Sequence, residues 1–128
     1  MKIDSEDDII LVRRKVRDFA SACAFDVFAT SAVTTAASEL ARNVWTHAGG
    51  GFATVEKVSE DARLGVRAEF RDNGPGIPDI ERVLAGGYST ARTMGLGLSG
   101  SKRLVDEFEI ESAPGRGTRI TFTKWARY

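Results

Sequence analysis

The sequence contains one cysteine and one histidine, and those two counts already exclude several kinds of protein. Cys23 has no second thiol to pair with, so a disulfide-stapled secreted scaffold is excluded, and its apolar context fits a reducing, cytoplasmic compartment. Zinc sites of the cysteine-rich kind need more ligands than one Cys and one His supply. No apolar run approaches the roughly 18 residues of a membrane span, and the opening MKIDSEDD does not read as a signal peptide. An excess of one charge is missing too. Lys plus Arg and Asp plus Glu number 18 each, which argues against a protein that coats nucleic acid or anionic membrane and leaves room only for a local basic patch. What is present is ordinary: 128 residues, 42% apolar and 28% charged, enough for one globular domain over 1–128 with its own core.

Hydrophobic spacing divides the chain into a helical first part and a glycine-punctuated second part. Ile9, Val12, Val16, Phe19, Ala20 and Cys23 recur at intervals of three and four, which predicts an amphipathic helix with Asp4 or Ser5 as its cap. Val33, Ala37, Leu40, Val44 and Ala48 repeat the pattern and stop at Gly49-Gly50-Gly51. The period then becomes two. Phe52 to Val58, and Val66, Ala68 and Phe70, predict a hairpin turning at Glu60-Asp61-Ala62-Arg63. Residues 79–85 are expected to make a short helical turn, Gly86 to Gly97 a loop, and Leu98 to Val105 a third helix. Phe108 and Ile110, then Ile120 and Phe122, alternate as two strands joined at Pro114-Gly115-Arg116-Gly117. The expected fold is a two-layer α/β sandwich, with a mixed, mostly antiparallel sheet and helices on one face.

Nine of the 13 glycines fall between Gly74 and Gly117, in clusters that expose backbone N–H groups to a ligand or simply make tight turns. Gly95-x-Gly97-x-x-Gly100 has the form of a dinucleotide fingerprint, but no strand precedes it, and a Walker loop would need Lys at Ser101. Glycines just ahead of a helix still suit phosphate binding. Glu39, Asn43 and His47 stand four apart, a slanting polar row on the second helix that is either a solvated face or a set of base and metal-ligating groups. Asp72 shares the parity of Val66, Ala68 and Phe70, so the inward face of its strand ends in a carboxylate, a candidate receptor for a planar ligand's amino group. Thr118 shares the inward parity of Ile120 and Phe122.

The ordered set Glu39-x3-Asn43-x3-His47, Asp72-x-Gly74-x-Gly76, Gly95-x-Gly97 and Gly117-Thr118 resembles the GHKL ATPase superfamily, whose fold is the Bergerat fold. Across essentially all 128 residues the chain resembles the small switch serine/threonine kinases of the bacterial stressosome, the RsbT type. The stretches that carry this are Ala37 to Asn43, Asp72 to Asp79, Gly87 to Thr90, Gly95 to Gly100, Lys102 to Phe108 and Thr123 to Trp125. One departure is His47, where that subfamily leads one to expect Tyr. The resemblance implies ATP and Mg²⁺ as cofactors. It implies that Asn43 ligates Mg²⁺, Asp72 accepts from the adenine amino group with Thr118 in support, and Glu39 serves as catalytic base. It further implies nucleotide contacts from Gly74, Gly76, Ile77, Gly95, Leu96, Gly97, Leu98 and Gly117.

The expected function is therefore an ATP-dependent protein serine/threonine kinase of a partner-switching stress response. Its implied substrates are STAS-domain scaffold or antagonist proteins, and its implied second partner is a PP2C-type phosphatase that it activates when released. The alternatives are an anti-sigma factor that also phosphorylates its antagonist, and a non-catalytic nucleotide-gated adaptor.

Overall fold

A computed structural model describes residues 1–77 and 92–127, apart from the side chains of 92–97. In chain order they form β1 (Lys2–Ile3), α1 (Glu6–Ala22), α2 (Val27–Ala48), β2 (Gly51–Glu60), β3 (Arg63–Asp72), α3 (Arg92–Leu104), β4 (Glu107–Ser112) and β5 (Thr118–Trp125). The strands make one sheet in the order β1-β2-β3-β5-β4, and each of its pairings is antiparallel.

The two-layer α/β arrangement follows from strand parity. Ala53, Val55, Val66, Ala68, Phe70, Ile120 and Phe122 point to one face, where they are buried with Val12, Val16, Val33 and Leu40 of the helices. The rings of Phe70 and Phe122 stack with centroids 6.2 Å apart across β3 and β5. Thr54, Glu56, Arg67, Glu69, Arg119 and Thr121 take the opposite parity and lie on the other face. A slip of one residue would exchange the two faces. Because each large apolar side chain contributes about 1.5–3 kcal/mol when buried, the register is strongly specified.

Local signals set most element ends. Ser5 occupies the N-cap position of α1, but its side chain makes no cap bond. The Asp8 carboxylate instead accepts the N–H of Asp4 at 2.9 Å. The second helix starts at Val27, six residues before the first apolar position that marks it in sequence, because Asp26 Oδ1 accepts the Ala29 N–H at 2.7 Å and caps it there. It stops at Gly49, whose φ of 75° ends the helix left-handed. The β2–β3 turn places Asp61 and Ala62 at φ of 51° and 65°, the two consecutive left-handed residues that a tight hairpin of matching twist requires.

Two features depart from the sequence reading. The short strand β1 pairs with β2 through Lys2↔Phe52 and Ile3↔Gly51, and two residues are too few to show a period. The third helix begins at Arg92 rather than Leu98, so Gly95, Leu96 and Gly97 lie inside it and not in a loop ahead of it. Glycine costs about 1 kcal/mol relative to alanine in a helix interior. Packing of α3 along α2 outweighs that cost. The helical turn expected at 79–85, and the Gly87 to Thr90 stretch, lie outside the described residues. Among those described, no helix is long and apolar enough to cross a membrane.

Candidate functional site

Between α2, α3 and the adjoining ends of β3 and β5 lies a cleft with apolar walls from Leu40, Val44, Phe70, Ile77, Leu98 and Ile120. Its polar groups are few: Asn43 and His47 from α2, Asp72 from β3 and Thr118 from β5. An apolar slot with a few convergent polar groups suits a planar, partly polar ligand.

Asp72 sits where parity places it, opposite Thr118 in the β3–β5 ladder. Its Oδ1 accepts the Gly74 N–H at 2.9 Å. Ser112, which the sequence reading passed over, organises the neighbouring corner. Its Oγ accepts the Ile77 N–H at 2.8 Å, donates to the Gly117 carbonyl at 2.9 Å, and lies 2.9 Å from Thr118 Oγ1. Since its single proton goes to Gly117, Thr118 must be the donor between the two hydroxyls. That leaves the lone pairs of Thr118 available beside the carboxylate of Asp72. The floor of the cleft therefore presents acceptors. A signal for Ser112 existed, because it shares the inward parity of Phe108 and Ile110 at the end of β4.

Two glycines of this corner have a conformational role beside the nucleotide contacts expected of them. Gly76 and Gly117 have φ of 77° and 78°, and a Cβ at either would run into a carbonyl oxygen, that of Ala113 or of Asp72. The close approach they allow, among the described residues, is to the chain's own backbone. With the Gly115 N–H bonded to the Pro75 carbonyl at 2.7 Å, they clamp the 72–77 segment onto the β4–β5 turn.

Asn43 is 8% exposed, and its Nδ2 has no hydrogen-bond partner among the described residues. An unpaired buried amide costs about 1–3 kcal/mol, which a ligand entering the cleft can recover. His47, one turn further along α2, has its Nε2 sealed and equally unpartnered among those residues. Burial pushes its imidazole below the ordinary 6.5, while the charge of Asp72 opposes that shift. The fold thus favours the neutral ring. Stability is unaffected well above 6.5 and is lost as pH falls through the ordinary histidine range, where the unfolded chain takes up the proton first. The melting temperature is expected to drop more steeply from pH 7 to pH 5 in the parent than in His47→Gln; parallel curves would remove His47 as the cause.

The structure brings Asn43, Asp72, Gly76, Ile77, Leu98 and Thr118 together around one cleft. Glu39 is half-buried one turn before Asn43 and does not line it. Gly74 packs under the end of α2, where a Cβ would meet Ala48 Cβ at 2.6 Å. Gly95, Leu96 and Gly97 belong to α3, and Leu98, which follows them, is buried and lines the cleft. Acceptors on an apolar floor and an orphaned buried amide fit an adenine nucleotide.

The model of the histidine kinase-, DNA gyrase B- and HSP90-like ATPases matches residues 29–127. The serine/threonine-protein kinase RsbT of Bacillus subtilis (strain 168) is 42% identical over 127 residues, covering 99% of this chain and 96% of that protein. An anti-sigma F factor of Caldanaerobacter subterraneus subsp. tengcongensis is 31% identical over 99 residues, covering 73% of this chain and 68% of that protein. The mycobacterial sensor histidine kinase MprB shares the fold with a TM-score of 0.57 at 24% identity, over 77% of this chain and 72% of that one. The matched span takes in every element that builds the cleft, and the chain belongs to the histidine kinase-, DNA gyrase B- and HSP90-like ATPase family.

Proposed function

We propose that this chain is an ATP- and Mg²⁺-dependent protein serine/threonine kinase of a partner-switching pathway. It transfers phosphate to STAS-domain proteins and, once released, activates a PP2C-type phosphatase. The observation that carries the reading is the cleft itself: paired acceptors at Asp72 and Thr118 on its floor, and the buried amide of Asn43 at its side. Similarity to a serine/threonine-protein kinase over 99% of the chain supports it.

In this reading Asp72 accepts from the exocyclic amine of adenine, and Thr118 offers a second acceptor beside it. Ile77 and Leu98 supply apolar contact to the base. Among the described residues no group of three or more His, Cys, Asp or Glu side chains assembles to hold a metal. Asn43 would hold Mg²⁺ through one side-chain oxygen, and an ion of this kind usually takes most of its other ligands from phosphates and water. Gly95, Leu96 and Gly97 stand in the first turns of α3, whose N-terminus, with the positive end of the helix dipole, would favour the nucleotide's phosphates. Mg·ATP, when bound, supplies the transferable phosphoryl group and the cation charge that offsets its oxygens. Glu39, outside the base pocket, takes the proton of the attacking substrate hydroxyl. The domain over 1–128 works as one unit in the cytoplasm.

A second reading, an anti-sigma factor, draws on the 31% identity to such a protein, over a shorter share of the chain than the kinase match. Retained Glu39 and Asn43 count against a non-catalytic adaptor. Incubating the chain with γ-labelled ATP, a STAS-domain protein and a sigma factor separates the three. Label on a serine or threonine of the STAS protein is expected. Retention of the sigma factor favours the anti-sigma factor, and nucleotide binding with no transfer leaves only the adaptor.

A further inference from the structure

Ser112 does not line the nucleotide cleft, yet two residues that do line it end on its hydroxyl. The Ile77 N–H donates to Ser112 Oγ at 2.8 Å, and Thr118 Oγ1 stands 2.9 Å from the same atom. The contact of Ser112 Oγ with the Gly117 carbonyl, at 2.9 Å, fixes the direction of the other two. A carbonyl only accepts, so the single proton of Ser112 goes to it, and Thr118 is the donor of the hydroxyl pair. Ser112 Oγ then accepts from Ile77 and Thr118 with both lone pairs and has no capacity left.

Strand register sets these groups in a row. Asp72 pairs with Thr118 across β3 and β5, and Thr118 pairs with Ser112 across β5 and β4. With its hydrogen directed at Ser112, Thr118 meets a ligand only as an acceptor. Asp72 is an acceptor as well: Oδ1 takes the Gly74 N–H at 2.9 Å, and Oδ2 has no partner among the described residues. Two fixed acceptors match the two hydrogens of one exocyclic amine. They oppose a ring carbonyl, which would set lone pairs against lone pairs. An unrestrained hydroxyl would instead rotate to suit either group.

We propose that Ser112 is a positioning residue for nucleobase selection. By holding the hydroxyl hydrogen of Thr118, it makes the floor of the cleft accept a 6-amino purine and reject a 6-oxo purine. The proposal rests on the nucleotide reading above and adds to it a residue that acts without touching the base. Asp72 alone selects less sharply, because a freely turning Thr118 would offer a 6-oxo group a donor right beside the carboxylate. Sites that leave polar groups unpaired against the wrong ligand discriminate more strongly than sites that lose only apolar contact. The same hydroxyl also ties down Ile77, whose buried side chain lines the cleft, so two walls of the base pocket depend on one oxygen.

The test uses the full chain and calorimetry with ADP and with inosine diphosphate, IDP, whose base carries a carbonyl in place of the amine. The parent is expected to bind ADP about tenfold or more tightly than IDP. Ser112→Ala frees the Thr118 hydroxyl and is expected to lower that ratio about fivefold, the size of one neutral hydrogen bond. Ser112→Thr keeps a hydroxyl at the site and is expected to keep the ratio. In a Thr118→Val background, Ser112→Ala should no longer change the ratio, because the group it acts through is gone. A residue that merely holds the turn would weaken both nucleotides alike. An unchanged ratio in Ser112→Ala therefore overturns the proposal and leaves the nucleotide site intact. A ratio that still falls in the Thr118→Val background overturns the route through Thr118. Equal affinity of the parent for ADP and IDP overturns the proposal without any variant having to fold. A parent that binds neither nucleotide overturns the nucleotide reading, and the proposal with it.

Discussion

Glu39→Ala is expected to slow phosphoryl transfer about 10²–10⁴-fold while leaving Mg·ATP bound. Glu39 is half-buried one helical turn before Asn43 and outside the lining of the cleft, so removing it takes nothing from the base pocket. What is lost is the group proposed to accept the substrate's proton. Asn43→Ala should behave in the opposite way. Its oxygen is the one protein ligand proposed for Mg²⁺, and a hard cation without it sits poorly against the triphosphate, so Mg²⁺-dependent ATP affinity falls. Calorimetry for binding and single-turnover labelling for transfer resolve the two. A Glu39→Ala chain that labels its substrate at the parent rate makes Glu39 a solvated helix residue and nothing more.

Asp72→Asn is expected to weaken ADP binding tenfold or more without unfolding the corner. The amide oxygen of asparagine can still accept the Gly74 N–H that Asp72 Oδ1 accepts at 2.9 Å, so the turn at the end of β3 is kept. The exchange removes the negative charge and puts a donor where one carboxylate oxygen was. Hydrogen bonds to charged groups contribute about 1.5–3 kcal/mol, and 1.4 kcal/mol is a factor of ten. Thr118, held as a donor to Ser112, cannot turn its proton toward the ligand to compensate. Equal ADP affinity in parent and variant takes Asp72 out of base recognition.

How much of this could be read in advance depended on whether burial had written a period into the chain. Val66, Ala68 and Phe70 alternate cleanly, and that parity carried Asp72 to the correct face without any structure. Ile120 and Phe122 did the same for Thr118. By contrast, Val27 and Phe28 open α2 largely exposed, so the first turn of that helix shows no apolar repeat, and its start is set by the capping Asp26, which the sequence reading passed over. Gly95 and Gly97 read as a loop because local propensity is weak evidence against a helix that packs along a neighbour. Ser112 was missed for a different reason. Its parity with Phe108 and Ile110 marked the side it faces, but a small hydroxyl gains its importance from three partners at 77, 117 and 118, which parity alone does not reveal.

The burial of Cys23 gives the molecule a built-in marker of opening. Its side chain is fully enclosed at the end of α1, with Sγ 3.6 Å from the Gly65 carbonyl of β3. Burial pushes the thiol above its ordinary 9.0, and the nearby charge of Lys57 opposes this only in part. The thiolate is the reactive form, so alkylating reagents are shut out both sterically and chemically while the helical layer stays on the sheet. Modification then proceeds only through molecules in which α1 has lifted from β3, and its rate counts those excursions. Because the chain has no other cysteine, a thiol engineered onto the exposed surface takes up a spectroscopic probe alone, with no native residue to remove first.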